Sequence, residues 1–241
     1  MHTENSQKQI AILKAGETFA ALREETGDFD NWFCQAMGLD HHQVQVIEIY
    51  RGEPLPPWQT LSAALITGSH SMVTDRDAWM LTTQDWLRKA VSQSLPVLGI
   101  CFGHQLLAEA FGGEVSWNLS GREIGTHQVS LTAEGQKDKL LGRLPVFFHA
   151  HLAHQQSVTK LPEGARLLAT SDQDCHQAFA YGSAYGLQFH PEFNELVMLR
   201  YIELLESELF QEGADPGTIK AQICPTPEAR SLLSKFATWF R

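Results

Sequence analysis

The stretch PVLGICFGHQLLAEAFGG, residues 96–113, constrains the fold of this chain more than any other. An apolar run follows Pro96, and a helical pattern then continues to a pair of glycines. Between them stands Gly-x-Cys-x-Gly, in which Gly99 and Gly103 flank Cys101. A sharp turn from a strand to a helix brings backbones close together and leaves no room for Cβ atoms. The stretch therefore predicts a buried strand, a tight turn carrying the cysteine, and a helix.

The position of Cys101 suits a nucleophile. The turn places it at the start of a helix, where the partial positive charge of the helix favours a thiolate. The backbone N–H of Phe102 is then free to bind an oxyanion. A redox-sensing or buried structural cysteine can occupy the same geometry, so the turn alone leaves these alternatives open. The choice depends on whether the chain also supplies a base.

Strand-like and helical patterns alternate in the first half of the chain. The predicted buried strands lie at 10–16, 43–50, 63–69 and 96–100, and the predicted helices at 28–38, 77–94 and 103–113. This order indicates a parallel sheet with helices on both faces. Active sites of such open sheets lie at the carboxyl ends of the strands. Both ALITGS (64–69) and VLGICFG (97–103) end there.

After residue 114 the pattern changes to short strand candidates separated by turn residues. These candidates are EIGTHQVSLT (123–132), PVFFHA (145–150), ARLLAT (165–170) and QAFAYG (177–182). They indicate an antiparallel extension, after which AYGLQFHPEF (184–193) returns to a strand. The absence of a linker or repeat predicts one domain over 1–241, with a core at about 8–193 and a helical tail at about 194–241.

The tail has two helical patterns. From Glu195, one stripe carries Leu196, Leu199, Ile202 and Leu209. In the second pattern Thr226 is predicted as the N-cap and Pro227 as the first helical residue. The apolar face of that helix would comprise Leu232, Leu233, Phe236 and Phe240.

Charge and composition exclude several classes of function. A formal net charge of −10 and a pI of about 5.5 oppose binding to nucleic acid. No apolar run approaches the length of a membrane span, and the opening residues lack the pattern of a signal peptide. The four cysteines are widely spaced, which is typical of free thiols in a cytoplasmic protein. HAHLAH (149–154) is interpreted as a polar loop without metal, and we expect no cofactor.

LQFHPEF (187–193) supplies a base and a group to orient it. His190 ends a predicted strand, and Pro191 helps to stop that strand because it cannot donate a ladder hydrogen bond. Side chains two residues apart on an extended chain point the same way, so Glu192 can hold His190 in one tautomer. A lone His-Pro-Glu is a weak signal. Together with the cysteine turn it favours nucleophilic catalysis.

These motifs resemble the class I glutamine amidotransferases, the family with a Cys-His-Glu triad. GICFGHQ and QFHPE match two landmarks of the family, and TGSH at 67–70 stands where it usually has Ser-Gly-Gly-Pro. The segment AHQQSVTKLPEGARLLATSD is similar to one in the glutaminase of GMP synthetase. The resemblance covers about 45–193 and implies a flavodoxin-like open, mostly parallel α/β sheet. Because the chain leaves no room for an ATP pyrophosphatase domain, we expect a free-standing, GMP-synthase-like member.

The resemblance also implies roles for individual residues. Cys101 would attack a γ-glutamyl carbonyl to form a thioester, His190 would move the protons, and Glu192 would orient His190. The N–H groups of Ser69 and Phe102 would hold the oxyanion. The remaining expected substrate contacts are Gly68, Gln105, His154, Gln155 and Gln156.

Three functions remain open on the sequence. The first is a glutaminase that releases ammonia to a separate acceptor enzyme, which Gln105 favours. The second is a hydrolase of γ-glutamyl peptides or conjugates, which the missing synthetase favours. Ala153 favours it too, because the family often has Ser or Asn there. The third is a non-catalytic regulatory module, which the complete triad opposes. We expect a small γ-glutamyl substrate, and neither nucleic acid nor a membrane as partner.

Overall fold

The computed structural model describes residues 8–239. Its strands are β1 (Gln9–Lys14), β2 (Val44–Glu48), β3 (Leu61–Ile66), β4 (Val97–Ile100), β5 (Glu114–Trp117), β6 (Glu123–Leu131), β7 (Phe147–His154), β8 (Gln156–Lys160), β9 (Arg166–Thr170), β10 (Ala178–Tyr181) and β11 (Ala184–Leu187). Its α-helices are α1 (Ala20–Thr26), α2 (Phe29–Met37), α3 (Ala78–Ser92), α4 (Phe102–Ala110), α5 (Glu195–Leu204), α6 (Glu206–Gln211), α7 (Pro216–Ala221) and α8 (Pro227–Thr238).

The main sheet has a parallel core and an antiparallel extension. Its strand order within the described residues is β2-β1-β3-β4-β11-β10-β9-β6-β7, while β5 and β8 form a separate pair. In that order, the strands from β2 to β11 pair in parallel. The strands beyond β11 pair antiparallel. The predicted open α/β sheet with its extension is confirmed.

Three strand ends meet at one edge of the parallel core. The register pairs Leu187 with Ile100, and Ile66 with Gly99, so that β11, β4 and β3 end side by side. Carboxyl ends of parallel strands share one edge of the sheet. The segments that follow these three strands carry the residues predicted for catalysis, so the topology brings them together.

Helices cover both faces of the parallel core, and the buried residues form two clusters. Neighbours on one strand fall in opposite clusters, as Ile12 and Leu13 do, because successive strand side chains alternate between faces. Helices α2, α5 and α8 contribute to the first cluster, and α3 and α4 to the second. A parallel strand is buried on both faces, which explains the apolar runs in the sequence.

Two sequence interpretations are wrong at the level of local structure. HAHLAH is part of strand β7, and His151 and His154 are buried, so it is not a polar loop. Its pairing with β6 draws these polar residues inward. Leu196 is 54% exposed and lies off the buried stripe of α5, which Val197 and Met198 help to form.

The predictions for the last helix of the tail are confirmed in part. Pro227 begins α8, but the Thr226 side chain makes no capping hydrogen bond at this helix. Leu232, Leu233 and Phe236 are buried on the predicted face, whereas Phe240 lies outside the described residues. Strands β5 and β8 were not predicted, because their few apolar residues form no run. Among residues 8–239, the helices are too short or too polar to cross a membrane.

Candidate active site

Cys101 lies on the turn between β4 and α4. Its backbone has φ 51° and ψ −101°, a conformation of positive φ that non-glycine residues adopt at a cost. A Cβ atom on Gly99 would lie 2.3 Å from the carbonyl oxygen of Gly103, and one on Gly103 would lie 2.6 Å from that of Ile66. The two glycines are therefore required by close backbone contacts. The strained turn presents the thiol at the edge of the sheet where three strands end.

His190 and Glu192 follow β11 at the same edge. The Nδ1 atom of His190 donates to Glu192 Oε1 over 2.7 Å, and both side chains are at least 96% buried. Within the described residues, His190 Nε2 has no partner of ordinary hydrogen-bond geometry. The neighbouring group with which that side of the ring interacts is the Cys101 thiol. The structure thus brings together the three residues predicted as a triad.

The charges of this pair favour a thiolate. Burial alone would raise the pKa of Cys101, but the adjacent His190 outweighs burial and holds that pKa below its usual value of 9.0. Burial alone would lower the pKa of His190, but Glu192 and Cys101 raise it to about 10. Both shifts favour the thiolate–imidazolium form at neutral pH.

The turn after β3 is fixed by hydroxyl groups. The Thr67 hydroxyl accepts from the Ala15 N–H at 2.9 Å and donates to the Gly68 carbonyl oxygen at 2.8 Å. The Ser69 hydroxyl donates to the Ala15 carbonyl oxygen at 2.8 Å and accepts from the Ser71 N–H at 3.0 Å. A Cβ atom on Gly68 would come within 3.0 Å of the His190 ring. This turn therefore lies against the triad in a fixed conformation.

A cavity of about 250 Å³ opens over the thiol, and several predicted site residues line it. These are Ser69, Phe102, Gln105, His154, Gln155 and Gln156. The side chain of Gln105 donates to Gln156 O at 2.7 Å and to Gln188 Oε1 at 3.0 Å. Gln156 Nε2 donates to Thr74 Oγ1 at 2.7 Å, while its own Oε1 is buried without a partner among the described residues. This Oε1 atom is therefore a buried acceptor that no described residue satisfies.

His154 belongs to a second buried pair. Its Nε2 lies 2.9 Å from Glu123 Oε2, and its Nδ1 lies 2.9 Å from the carbonyl oxygen of Gln156. Both partners are acceptors, so both ring nitrogens donate and His154 is an imidazolium. Burial would lower the pKa of His154, but the bond to Glu123 raises it. Ser171 and Gln177 also donate to Glu123.

Asp174 lies close to Glu123 and His154, an arrangement in which three residues could offer metal ligands. The hydrogen bonds to Glu123 already occupy both of its oxygens. The charges of Glu123 and His154 also balance each other. We interpret the cluster as an ion pair that holds β6 and β7 together beneath the cavity.

The sequence did not predict the residues from the helical tail that line the cavity. Tyr201, Leu205 and Glu208 come from or adjoin α5 and α6, and they line the cavity together with Phe19 and Arg122. Their spacing fits an ordinary helix, so no local signal distinguishes them. Arg122 lies beside the predicted strand EIGTHQVSLT, and its ion pairs with the tail are contacts between residues far apart in the chain.

Comparison with known proteins gives consistent results. Residues 66–200 match the family model for Glutamine amidotransferase class-I. Gamma-glutamyl peptidase 5 of Arabidopsis thaliana is 29% identical over 205 residues, which are 83% of this chain and 81% of that protein. One subunit of the glutamine-hydrolyzing GMP synthase of Methanocaldococcus jannaschii is 40% identical over 105 residues, 43% of this chain and 54% of that subunit.

Solved structures share the fold. A glutamine amidotransferase from Thermotoga maritima superimposes with a TM-score of 0.76 at 23% identity, covering 95% of this chain and 98% of that one. A glutamine amido transferase from Methylobacillus flagellatus gives a TM-score of 0.71 at 25% identity, covering 96% of this chain and 92% of that one. The likeness therefore extends over the sheet and the helical tail.

Proposed function

Because this chain belongs to the class I glutamine amidotransferase family, we propose that it hydrolyses a γ-glutamyl amide through a thioester on Cys101. The observation that carries this proposal is the His190–Glu192 pair with its one free ring nitrogen beside the strained cysteine. A non-catalytic regulatory module has no need of that arrangement. Burying a thiolate–imidazolium pair costs folding free energy, so its presence favours a catalytic role.

The reaction has two halves. The Cys101 thiolate attacks the γ-carbonyl carbon, and the N–H groups of Ser69 and Phe102 bind the oxyanion that forms. His190 donates its Nε2 proton to the leaving nitrogen, the carbon–nitrogen bond breaks, and the amine departs. His190 then removes a proton from water, which attacks the thioester. The carbon–sulfur bond breaks, glutamate leaves, and the thiolate is restored.

The glutamyl part of the donor would bind on the side of Gln105 and Gln156. Gln156 lines the cavity, and its Oε1, which has no protein partner, would accept a hydrogen bond from the donor's α-ammonium group once the side chain turns toward the cavity. Gln105 uses both amide hydrogens within the protein, so it would hold the loop and offer only its oxygen. We propose that Gly68, His154 and Gln155 contribute through backbone position, since His154 is engaged at both ring nitrogens.

A γ-glutamyl peptide or conjugate is the donor we favour over glutamine. The oxyanion turn is held by four hydrogen bonds from Thr67 and Ser69, so it needs no partner protein to align it. Residues of the helical tail line the cavity of about 250 Å³ over Cys101, and we take this cavity as room for a leaving group larger than ammonia. Relatives named gamma-glutamyl peptidases also align over most of both chains.

The second candidate is a glutaminase that passes ammonia to a separate enzyme. It is favoured by the 40% identity to a GMP synthase subunit over the central residues. This alternative predicts slow hydrolysis of free glutamine by the isolated chain and a sharp increase when the acceptor enzyme is added. The conjugate hydrolase predicts fast turnover of a γ-glutamyl dipeptide and negligible glutamine hydrolysis by the same preparation.

The four cysteines are free, which fits the predicted cytoplasmic location.

The test combines one variant with a donor panel. Cys101→Ala should abolish release of glutamate from every donor while the unfolding midpoint barely changes, because one sulfur atom is lost. Cys34→Ala, a second buried cysteine without such a turn, is the matched control. Substantial activity in the Cys101→Ala protein would refute the thioester mechanism.

Ser69→Gly tests whether the turn is fixed by the side chain. Glycine removes both hydrogen bonds of the hydroxyl and gives the backbone of the turn more conformational freedom. We expect kcat to fall by about thirtyfold with little change in KM, since two bonds of about 1 kcal/mol each are lost. Ser69→Thr keeps the hydroxyl and should retain most activity. An unchanged kcat in Ser69→Gly would contradict the proposed role.

A further inference from the structure

The histidine and glutamate of the triad lie on a turn. Strand β11 ends at Leu187, before His190 is reached. Within residues 190–193 the Phe193 N–H donates to the His190 carbonyl oxygen at 3.3 Å, which closes the turn. These residues lie beyond the regular pairing that fixes the backbone of a strand. The alignment of the two side chains therefore depends on what holds the turn.

The Glu192 carboxylate is not placed by hydrogen bonds to other parts of the protein. Its Oε1 accepts from His190 Nδ1 at 2.7 Å, and its Oε2 is buried without a partner among the described residues. The bond that orients the base is thus the only one that the carboxylate makes within this part of the chain. Its direction must be set by the backbone from which it projects.

The backbone of this turn is held from two sides. At its start, the His190 N–H donates to the carbonyl oxygen of His151 on β7 at 2.8 Å. At Glu192 itself, Nη1 of Arg230 on α8 donates to the Glu192 carbonyl oxygen at 3.2 Å. The first contact fixes the histidine, and the second fixes the residue that carries the carboxylate.

Arg230 is committed to this contact. Its guanidinium forms no ion pair with any described residue, although the chain has a formal net charge of −10. The side chain is half-buried. A hydrogen bond from a charged donor is stronger than one between neutral groups, and a guanidinium keeps its charge at every pH at which a protein folds. This contact is therefore a strong and permanent hold on the turn.

We propose that Arg230 is a positioning residue, which fixes the backbone at Glu192 and so keeps that carboxylate directed at His190. The proposal rests on the proposed function, because it concerns the same triad. It adds a residue of the helical tail to the catalytic apparatus, 38 residues beyond Glu192 in the chain. A base whose orienting group is itself held in place needs no reorganisation during the reaction.

Arg230→Met tests the proposal, because it removes the hydrogen bond and keeps a long side chain. We expect kcat to fall by about tenfold with little change in KM, since the base is disoriented while donor binding is untouched. The pH profile of Cys101 alkylation by iodoacetamide should also move to higher pH. The reason is that a weaker bond to Glu192 makes the His190 imidazolium less stable, and the thiolate beside it with it.

Lys235→Met is the matched control. Lys235 lies on the same helix, and its Nζ donates to one backbone carbonyl oxygen, that of Leu140, at 2.7 Å. Both variants therefore remove one cation and one bond to the main chain from α8, but only Arg230 contacts the triad. Lys235→Met should keep the kcat and the alkylation profile of the unaltered protein, even where urea unfolding shows a loss of stability.

Other titratable groups also interact with the triad. They are His151 and His154 on β7, His70 on the turn after β3, and Tyr201 on α5. Neither substitution changes any of these residues. A profile that moves in Arg230→Met and not in Lys235→Met therefore reports the bond between His190 and Glu192.

The same kcat and the same alkylation profile in Arg230→Met and Lys235→Met would overturn the proposal, since Arg230 would then act on stability alone. Where Arg230→Met does not fold, Arg230→Gln, which is shorter and uncharged, is judged by the same two measurements per folded molecule. If the unaltered protein hydrolyses no donor, the proposed function fails and the alkylation profile decides alone. A shift confined to the Arg230 variant would support the positioning role, and equal profiles would refute it.

Discussion

Two buried histidine–glutamate pairs lie near Cys101, and their histidine rings differ by one hydrogen bond. His190 donates to Glu192 and keeps Nε2 unpaired within the described residues, whereas His154 donates to Glu123 and also to the Gln156 carbonyl oxygen. The distances, 2.7 and 2.9 Å, are nearly the same. A buried His–Glu pair is therefore not itself a catalytic signature. The nitrogen left free beside a nucleophile makes the difference.

The two pairs also differ in what their carboxylates do. Glu192 Oε1 accepts from His190 alone among the described residues, while Glu123 collects bonds from His154, Ser171 and Gln177. A fully bonded ion pair resists change, which suits a structural role. The His190–Glu192 pair makes fewer hydrogen bonds, so His190 can gain or lose its Nε2 proton with little rearrangement.

The largest expected effect comes from removing each histidine. His190→Ala should lower kcat per folded molecule by about 10³-fold or more, because proton transfer is lost in both half-reactions. Both His190→Ala and His154→Ala should destabilise the fold by about 3–5 kcal/mol, because Glu192 or Glu123 remains as a buried unpaired charge, but His154→Ala should keep kcat per folded molecule. Turnover and urea unfolding of both variants give the comparison.

A paired substitution keeps this comparison testable if His154→Ala does not fold. Glu123→Gln combined with His154→Gln removes both charges together, so it should fold and retain activity per folded molecule. Loss of activity as severe as in His190→Ala, in a folded double variant, would mean that the second pair takes part in catalysis.

A smaller loss is expected at the orienting carboxylate. Glu192→Gln should also reduce turnover, because it weakens the base without removing it. The reduction should be smaller than that in His190→Ala by a factor of about ten to a hundred. Steady-state kinetics on one donor suffice. Rates in the reverse order would contradict the roles proposed for the two residues.

Alkylation should separate Cys101 from the other buried cysteine. Because His190 holds the pKa of Cys101 below 9.0, more of its thiolate should remain at neutral pH than for an ordinary thiol, and Cys101 should react with iodoacetamide there. Burial raises the pKa of Cys34 to about 11, so Cys34 should stay unmodified. The rate at Cys101 should fall as the pH drops through its lowered pKa. His190→Ala should move that fall to higher pH, and an unmoved profile would show that the two residues are uncoupled.

The pH dependence of stability should report the second pair. The raised pKa of His154 means that its contribution to the free energy of unfolding is full below 6.5 and is lost as the pH rises through the folded value. The lowered pKa of Glu123 means that its contribution is full above 4.5 and is lost at lower pH. The gap between the unaltered protein and the double glutamine variant should therefore be widest between these values. A gap that is widest at pH 9 would contradict the assignment.

The smallest effect is expected at Ala153, which lies between the two pairs. Its carbonyl oxygen lies 3.8 Å from Cys101 Sγ, and Ala153 precedes His154. Ala153→Asn or Ala153→Ser should strengthen glutamine binding by about 1 kcal/mol if one net hydrogen bond is gained. Protection of Cys101 from alkylation by glutamine measures this affinity. No change would count against this loop as the place where the donor's carboxylate and amine are held.

The sequence determined the part of the site that depends on local geometry. Gly99, Cys101 and Gly103 are close in the chain, and the tight turn they form follows from the space that their backbones leave. His190 and Glu192 are two residues apart, and their side chains meet as predicted, but they do so in a turn beyond β11, which ends at Leu187, and not on an extended strand. Apolar runs fixed the parallel strands, because such strands are buried on both faces.

The tertiary structure alone decided which histidine keeps an unpaired ring nitrogen and which distant residues line the cavity over Cys101. The partners of His154 are Gln156, two residues away, and Glu123, whose position depends on the pairing of β6 with β7. The cavity over Cys101 is lined by Phe19, Arg122 and Glu208, which lie far apart in the chain. Their meeting depends on the angle at which α5 and α6 pack on the sheet. Helix packing is set by many weak side-chain contacts together, and no short pattern in the sequence records it.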